Sequence, residues 1–387
     1  MKILIILFLF VTLSLSAQLD RDNDKYQPKK DSSQNEEPNN EEPKKEEPTI
    51  RTIDKHKLIV RGGFGFSSVK IPQADEDKKT AQLDTALTNA FGGSGYFSTS
   101  NVDKDSGLHI LGGIEYRFLD KFRFLYDVRN LNTSSEASRN SGQAPIFFIQ
   151  KGQYDWTEKT SKVGFAFFQP VTKYFNLGLM LRNYNIKQTA ELSLNPPPEI
   201  LSTFLTSRSG LGFAFLGTTK DSSFAKMNGL VPAFAIEFFP VNFLEFRYML
   251  ETVNLKGTQN SNGSDILAVL LRGGGQFAGG VVGGINTTNS SFTYKGTINT
   301  FELGFKPRGD AAKFLFLKLG MSQEIYQKQY DKYFAFDSFG ALGGPVIQSG
   351  FNPIAQFINS TIYTSYVNSE IVIQNLYGVI EFRKGFN

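Results

Sequence analysis

Cysteine is absent from this chain of 387 residues, and histidine occurs only as His56 and His109. The first absence excludes a disulfide framework, a cysteine nucleophile, a thiolate metal site and a lipid-modified N-terminal cysteine. The second leaves little material for a histidine metal centre, and no metal ligand, cofactor site or catalytic residue is assigned. A formal charge of only +4 gives no reason to expect nucleic acid. Long apolar runs are missing too. The longest, "ILIILFLFVTLSL" after Lys2, is too short to span a bilayer comfortably and is followed by the small residues Ser14, Ser16 and Ala17. It reads as a secretory signal over residues 1–17. If the mature chain crosses a membrane, it does not cross with helices.

Residues 18–55 have few aromatics and repeat Glu-Glu-Pro in "NEEPNNEEPKKEEP". Such a segment buries too little apolar area to offset its conformational entropy, so it reads as a disordered periplasmic linker. Residues 56–387 form the folded part. Phenylalanine is abundant there, and most of the 37 Phe, 15 Tyr and 36 Gly fall in this part.

One short phrase appears three times: "IEYR" at 114–117, "LEFR" at 244–247 and "IEFR" at 380–383. Side chains on a strand alternate faces, so each phrase puts two large apolar groups on one face and a Glu and an Arg on the other. The pattern extends into ten alternating segments of ~9–13 residues, a length that crosses a bilayer when tilted. Eight of them pair around short turns at Leu119–Lys121, Pro170–Tyr174, Pro240–Asn242 and Pro307–Ala312, and five long Gly- and Ser-rich connections separate the rest. All short turns fall on one side, with both chain ends. A soluble β-sandwich also alternates. An even strand number, turn-and-loop asymmetry and aromatics near the turns favour an all-β, antiparallel, up-and-down transmembrane β-barrel. Ten strands are expected, or twelve and more if "GLGFAFLG" (210–217) and "GQFAGGVVGGIN" (275–286) also cross.

Over about residues 57–387 the chain resembles the bacterial outer-membrane β-barrel class. The paired alternating strands and the closing "VIEFRKGFN" carry the resemblance, although the chain ends in Asn387 where members usually end in Phe or Trp. The resemblance implies an outer-membrane location with both termini periplasmic. It also implies outer-membrane lipid and the barrel-assembly machinery as partners.

In such a barrel the charged face points inward. Glu115, Arg117, Arg123, Asp127, Glu237, Glu245, Arg247, Glu302, Lys318, Glu381 and Arg383 should then line the lumen as an ion-paired belt near the short turns. The long loops contain apolar helical patterns at 80–93, 196–205, 264–275 and 352–358. Ile200, Leu201, Phe204, Leu267, Leu270, Leu271 and Phe357 are candidate hydrophobic contacts in three of them.

The expected function is non-enzymatic: a narrow porin or channel for small solutes. The alternatives are a surface adhesin or structural barrel with a plugged lumen, and uptake of a hydrophobic compound through the apolar loops. An omptin-type protease needs Asp-x-His at the rim, and the chain offers only "DED" (75–77) and "DKD" (103–105) near His109. A lipase-like barrel needs a His with a Ser or Asn partner, which sequence alone does not place.

Overall fold

The computed structural model describes residues 56–71, 74–76, 78–79, 82–83, 85–86, 96–102, 105–119, 121–143, 146–195, 219–241, 243–263, 286–307, 314–332, 361–362 and 364–386. The signal and linker expectations lie outside these residues, as do the loop patterns at 196–205, 264–275 and 352–358, most of 80–93 and both additional hairpin candidates.

Among the described residues there are eleven strands: β1 (His56–Val69), β2 (Tyr96–Val102), β3 (Asp105–Phe118), β4 (Phe122–Gln143), β5 (Ile146–Thr172), β6 (Phe175–Leu194), β7 (Thr219–Val241), β8 (Leu244–Gly263), β9 (Asn286–Phe305), β10 (Leu315–Lys332) and β11 (Ser369–Phe386). Every pairing is antiparallel. The order β4-β3-β1-β11-β10-β9-β8-β7-β6-β5 closes on itself through β4–β5, giving a ring of ten strands. β2 is the outward continuation of β3. Val102 pairs with Ala137 and Gly107 with Thr133, so β2 and β3 both lie along β4.

The ring strands run from 14 to 27 residues, well beyond the lengths expected from the sequence. The connection expected as a long loop after "FRFLYDVRN" is also a correction. β4 continues to Gln143 and β5 begins at Ile146, with Gln143 paired to Ile146. The Ser-, Thr- and Asn-rich stretches that read as loop are strand, because what changes along each strand is the medium outside it and not the backbone.

β6 shows this directly. Near the short turn, Leu179 and Leu181 face outward at 65% and 50% exposure, while Arg182 faces inward. Farther along, Asn183, Asn185, Lys187 and Glu191 face outward, and Tyr184, Ile186, Ala190, Leu192 and Leu194 are buried inside. The faces exchange polarity while the backbone register stays constant. The apolar outer band includes Leu108, Ile110, Ile114, Tyr116 and Phe118 on β3, and Phe122, Phe124, Tyr126 and Val128 on β4, all exposed. Phe118 to Leu108 spans ~33 Å of strand, or ~25 Å along the axis at the usual tilt, the height of a barrel's lipid-facing band. Above the band the ring encloses an ordinary apolar core that includes Leu131, Trp156, Ile186, Leu194, Leu255, Phe292 and Tyr294. β5, at 27 residues, rises roughly 60 Å along the axis, so about half of it stands clear of the hydrocarbon.

Two local features fit this frame. Leu119 adopts φ 51°, the left-handed conformation that closes the β3–β4 turn. The β7–β8 ladder lapses between Asn228 and Ala233, where outward-facing Pro232 has no N–H to donate.

The inversion makes a positional prediction on one strand. Leu179→Arg, in mid-band, should lower the unfolding free energy in lipid by about 2–4 kcal/mol. Asn185→Arg, six residues on, should change it by less than about 0.5 kcal/mol. Urea titration in vesicles, read by the single buried Trp156, measures both.

Candidate functional site in the barrel lumen

The inward face of the lipid-embedded half is charged, and its charges meet across the ring. Three neighbouring strands put Glu237, Arg247 and Glu302 in one row, through the pairings Glu237↔Arg247 and Arg247↔Glu302. Arg117 and Arg123 face each other directly on β3 and β4, a repulsive placement by itself. It is relieved by Glu115, which accepts from Arg117 Nε at 2.6 Å, and by Glu237 reaching in from β7. Arg123 donates to both Glu237 oxygens at 2.5 and 2.7 Å. On the other side Arg383 donates to Glu245 at 3.0 Å, and Lys318 sits 3.4, 3.2 and 3.1 Å from Glu245, Glu302 and Glu381.

Glycine seats part of this network. Phe168 lies so close over Gly178 that a Cβ there would come within 2.5 Å of the ring. The same ring carries the Arg123 guanidinium 3.4 Å from its centroid. Gly178 thus lets Phe168 lie against the wall and hold Arg123 in line with Glu237.

A second tier lies farther in. Arg61 binds Asp127. Arg129 binds Glu324 across the lumen and Glu158 at 2.6 Å. Glu251 gathers Arg182 at 3.1 Å, Lys162 at 3.6 Å and the Tyr184 hydroxyl at 2.5 Å. Together the tiers join nine cations (Arg61, Arg117, Arg123, Arg129, Lys162, Arg182, Arg247, Lys318, Arg383) to nine carboxylates (Glu115, Asp127, Glu158, Glu237, Glu245, Glu251, Glu302, Glu324, Glu381). This part of the lumen is electrically balanced.

All eleven residues singled out in the sequence point inward, but not at one depth: Asp127 belongs to the second tier with Arg61 and Arg182. Sequence reasoning did not include Arg61, Arg129, Glu158, Lys162, Arg182, Glu251 and Glu324 among the site residues. Their signal was the same period-two alternation, followed one or two turns of the pleat farther along each strand. Ile200, Leu201, Phe204, Leu267, Leu270, Leu271 and Phe357 lie outside the described residues.

A cavity of about 120 Å³ lies within the charged network, bordered by members of both tiers such as Arg247 and Glu302, Arg61 and Arg182, and by His109 and Tyr377. His109 is buried there beside Ser67 and Asn375, an arrangement that invites comparison with a nucleophile and its base. The hydrogen bonds argue otherwise. Asn375 Nδ2 donates to the Glu324 carboxylate at 3.0 Å, which fixes the amide and leaves its Oδ1 as acceptor. Ser67 gives its one proton to that oxygen at 2.5 Å and accepts from His109 Nδ1 at 2.7 Å. His109 is a donor to Ser67, so the group works as a structural ladder.

Above the cavity the apolar core is penetrated by one ion pair. Glu76 accepts from Lys328 at 2.6 Å, and Lys328 also donates to Gln259 at 2.5 Å. Ile71, Ala74 and Leu83, from the segment after β1, pack onto the same core.

The chain has the fold of a closed, antiparallel transmembrane β-barrel. No family model matches it, and no curated protein does. Among solved structures it is similar to the outer-membrane protease OmpT of Escherichia coli, with 8% identity, a TM-score of 0.41 and coverage of 87% of this chain and 98% of that one. It is also similar to OprG of Pseudomonas aeruginosa, with 10% identity, a TM-score of 0.28 and coverage of 86% and 97%. The toluene transporter TodX of Pseudomonas putida follows with 7% identity, a TM-score of 0.27 and coverage of 86% and 91%. At such values none of them assigns a residue, ligand or activity to this chain.

The Arg123–Glu237 pair offers a direct test, since both side chains are at most 1% exposed. Arg123→Met strands a buried carboxylate and should cost about 3–5 kcal/mol of unfolding free energy, while Arg123→Met with Glu237→Met should recover most of it. Gly178→Ala should fall between, by displacing Phe168. A double-mutant cycle in urea, followed through Trp156, gives the coupling; equal losses in the single and double variants would exclude it.

Proposed function

We propose that this protein is a sealed outer-membrane barrel that acts at the cell surface, through the hairpins and loops its strands carry above the bilayer, with both termini in the periplasm. The observation that carries the reading is the filling of the lumen. Two tiers of buried ion pairs occupy the membrane half, and an apolar core occupies the half above it. A pore needs a barrel of bilayer height. Here β4 to β9 each run to 20 residues or more and enclose a packed body that holds their outer ends away from the lipid.

The second reading is a narrow path for small solutes, favoured by the polar cavity beneath the core. In that case conduction begins there and requires the tiers to part. Arg247 is the member to watch, since its nearest carboxylate oxygens are 3.8 Å away on Glu237 and Glu302.

The two readings separate in planar bilayers. Wild-type protein, shown to be folded by heat-modifiable migration, should stay electrically silent; stable unitary steps would put the channel first. A loop-trimmed variant locates the seal. Gly263 and Asn286 are direct partners, so a two-residue Asn-Gly turn can replace residues 264–285 without moving β8 or β9. That variant should fold and remain silent, because the seal lies inside the ring. Conductance gained on trimming would place it in the loop.

A further inference from the structure

The outer wall has a feature that the sealed lumen does not use. Above the lipid-facing band, Lys159 on β5 pairs directly with Lys187 on β6, and Lys187 pairs directly with Lys226 on β7. Lys256 continues the line one outward position lower on β8, opposite Asn228, and Lys295 one lower still on β9, opposite Asn254. All five side chains are exposed.

The line follows the edge of the apolar band. The continuous apolar band on these strands ends at Val163, Leu181, Leu230, Leu250 and Phe301, and each lysine stands two or three outward positions above that end; the isolated outward residues Ile149 and Phe224 lie higher. Both lines descend from β5 to β9, so the arc runs parallel to the bilayer. Two or three positions correspond to ~9–14 Å along the axis at a tilt of ~45°. The interfacial layer extends ~5–8 Å beyond the hydrocarbon. A lysine stem reaching downward covers the difference.

Like charges directly opposite each other on neighbouring strands are destabilising. Here the repulsion is repeated across three strands; Lys226 lies 5.2 Å from the Phe224 ring centroid, but no outward carboxylate among the described residues stands beside the row. The outward residues one step away are Thr157, Ser161, Asn185, Thr189, Phe224 and Asn228, all neutral. The nearest outward carboxylates on β5 and β6, Asp155 and Glu191, stand two positions higher and pair with each other. The arc is also one-sided: the residues directly opposite its two ends are Asn130 on β4 and Gln327 on β10, and Gln327 faces Glu370 on β11.

We infer that the arc of Lys159, Lys187, Lys226, Lys256 and Lys295 binds the phosphate groups of anionic lipid in the leaflet at the long-strand end of the barrel. Under the orientation proposed above, this is the outer leaflet. Phosphate supplies the missing counter-charge, and a bilayer holds it in a plane parallel to the arc. The inference rests on the lipid-facing band and not on the sealed lumen, so a conducting barrel in planar bilayers would leave it standing.

The test uses full-length protein in mixed micelles containing bisphosphorylated lipid A, with retained lipid counted by native mass spectrometry. Wild type should retain it at least ten-fold more than a variant carrying Lys159→Gln, Lys187→Gln and Lys226→Gln. Retention should fall with added salt and with a dephosphorylated lipid A, and millimolar inorganic phosphate should not compete. Lys384→Gln, exposed at the short-turn end, should match wild type. If the triple variant is poorly folded, the single Lys187→Gln with the salt series carries the same comparison. Equal retention by wild type and the arc variants overturns the inference, as does equal retention of the dephosphorylated lipid. Capture of a soluble polyanion such as heparin in preference to lipid A also overturns it, by assigning the arc to a macromolecular partner.

Discussion

Backbone in lipid must satisfy every N–H and C=O within the protein, and side chains that touch lipid must be apolar. A closed ring of strands meets the first condition, and the second then fixes one face of every strand. Whatever polarity the chain carries within the band is forced inward, into a space enclosed by ten strands. The charge network follows from this constraint. Buried ions are tolerated only when paired, and an unbalanced lumen would leave several kcal/mol of uncompensated charge. Nine cations against nine carboxylates is the composition such an enclosure demands.

The same constraint, released, explains the upper half. Once the outer face meets water, polar residues are favoured there, and the inner face is free to be apolar. On β6 the exchange takes place between Leu181, which faces lipid, and Tyr184, which faces the core. The protein is therefore a membrane barrel below and a water-soluble β-barrel above, built from the same continuous strands. The Glu76–Lys328 pair shows the cost of polarity in that upper core: Lys328 is fully buried and needs Glu76, Gln259 and the rings of Phe292 and Tyr330 around it.

The lower half was largely legible in the sequence because its alternation is steep. "IEYR", "LEFR" and "IEFR" contrast large apolar groups with full charges, and the short turns bracket them. The upper half was not, because its alternation is shallow. In "TYKGTINT" and "KGTQNSNG" the outward residues are Thr, Asn and Lys, and several inward ones are Gly, Gln or Thr. A reading tuned to an oily outer face ends the strand where the oil ends. The cross-lumen partners were illegible for another reason. Arg123 and Glu237 are 114 residues apart on strands three places apart in the ring, and no local pattern encodes which ion faces which. Arg129 and Glu324, paired four places apart, make the same point.

The guanidinium groups of the network differ in a way that bears on movement. Arg123 is held by two short bonds to Glu237 and stacks on Phe168, so displacing it breaks three contacts together. Arg247, one row away, contacts its carboxylates only at 3.8 Å and lies 5.9 Å from the same ring. Arg182 spends one nitrogen on the sulfurs of Met180 and Met249. Both border the cavity, as do the firmly paired Arg61 and Arg129, while Arg123 and Arg383 do not. Any rearrangement of the lumen must therefore start at the cavity, where side chains have both space and weak partners. It must end at Arg123 and Arg383, whose pairing closes the short-turn end. Barrel stability and the packing of the lumen are in this sense one property: the bonds that fill the ring are those that allow charge inside a membrane at all.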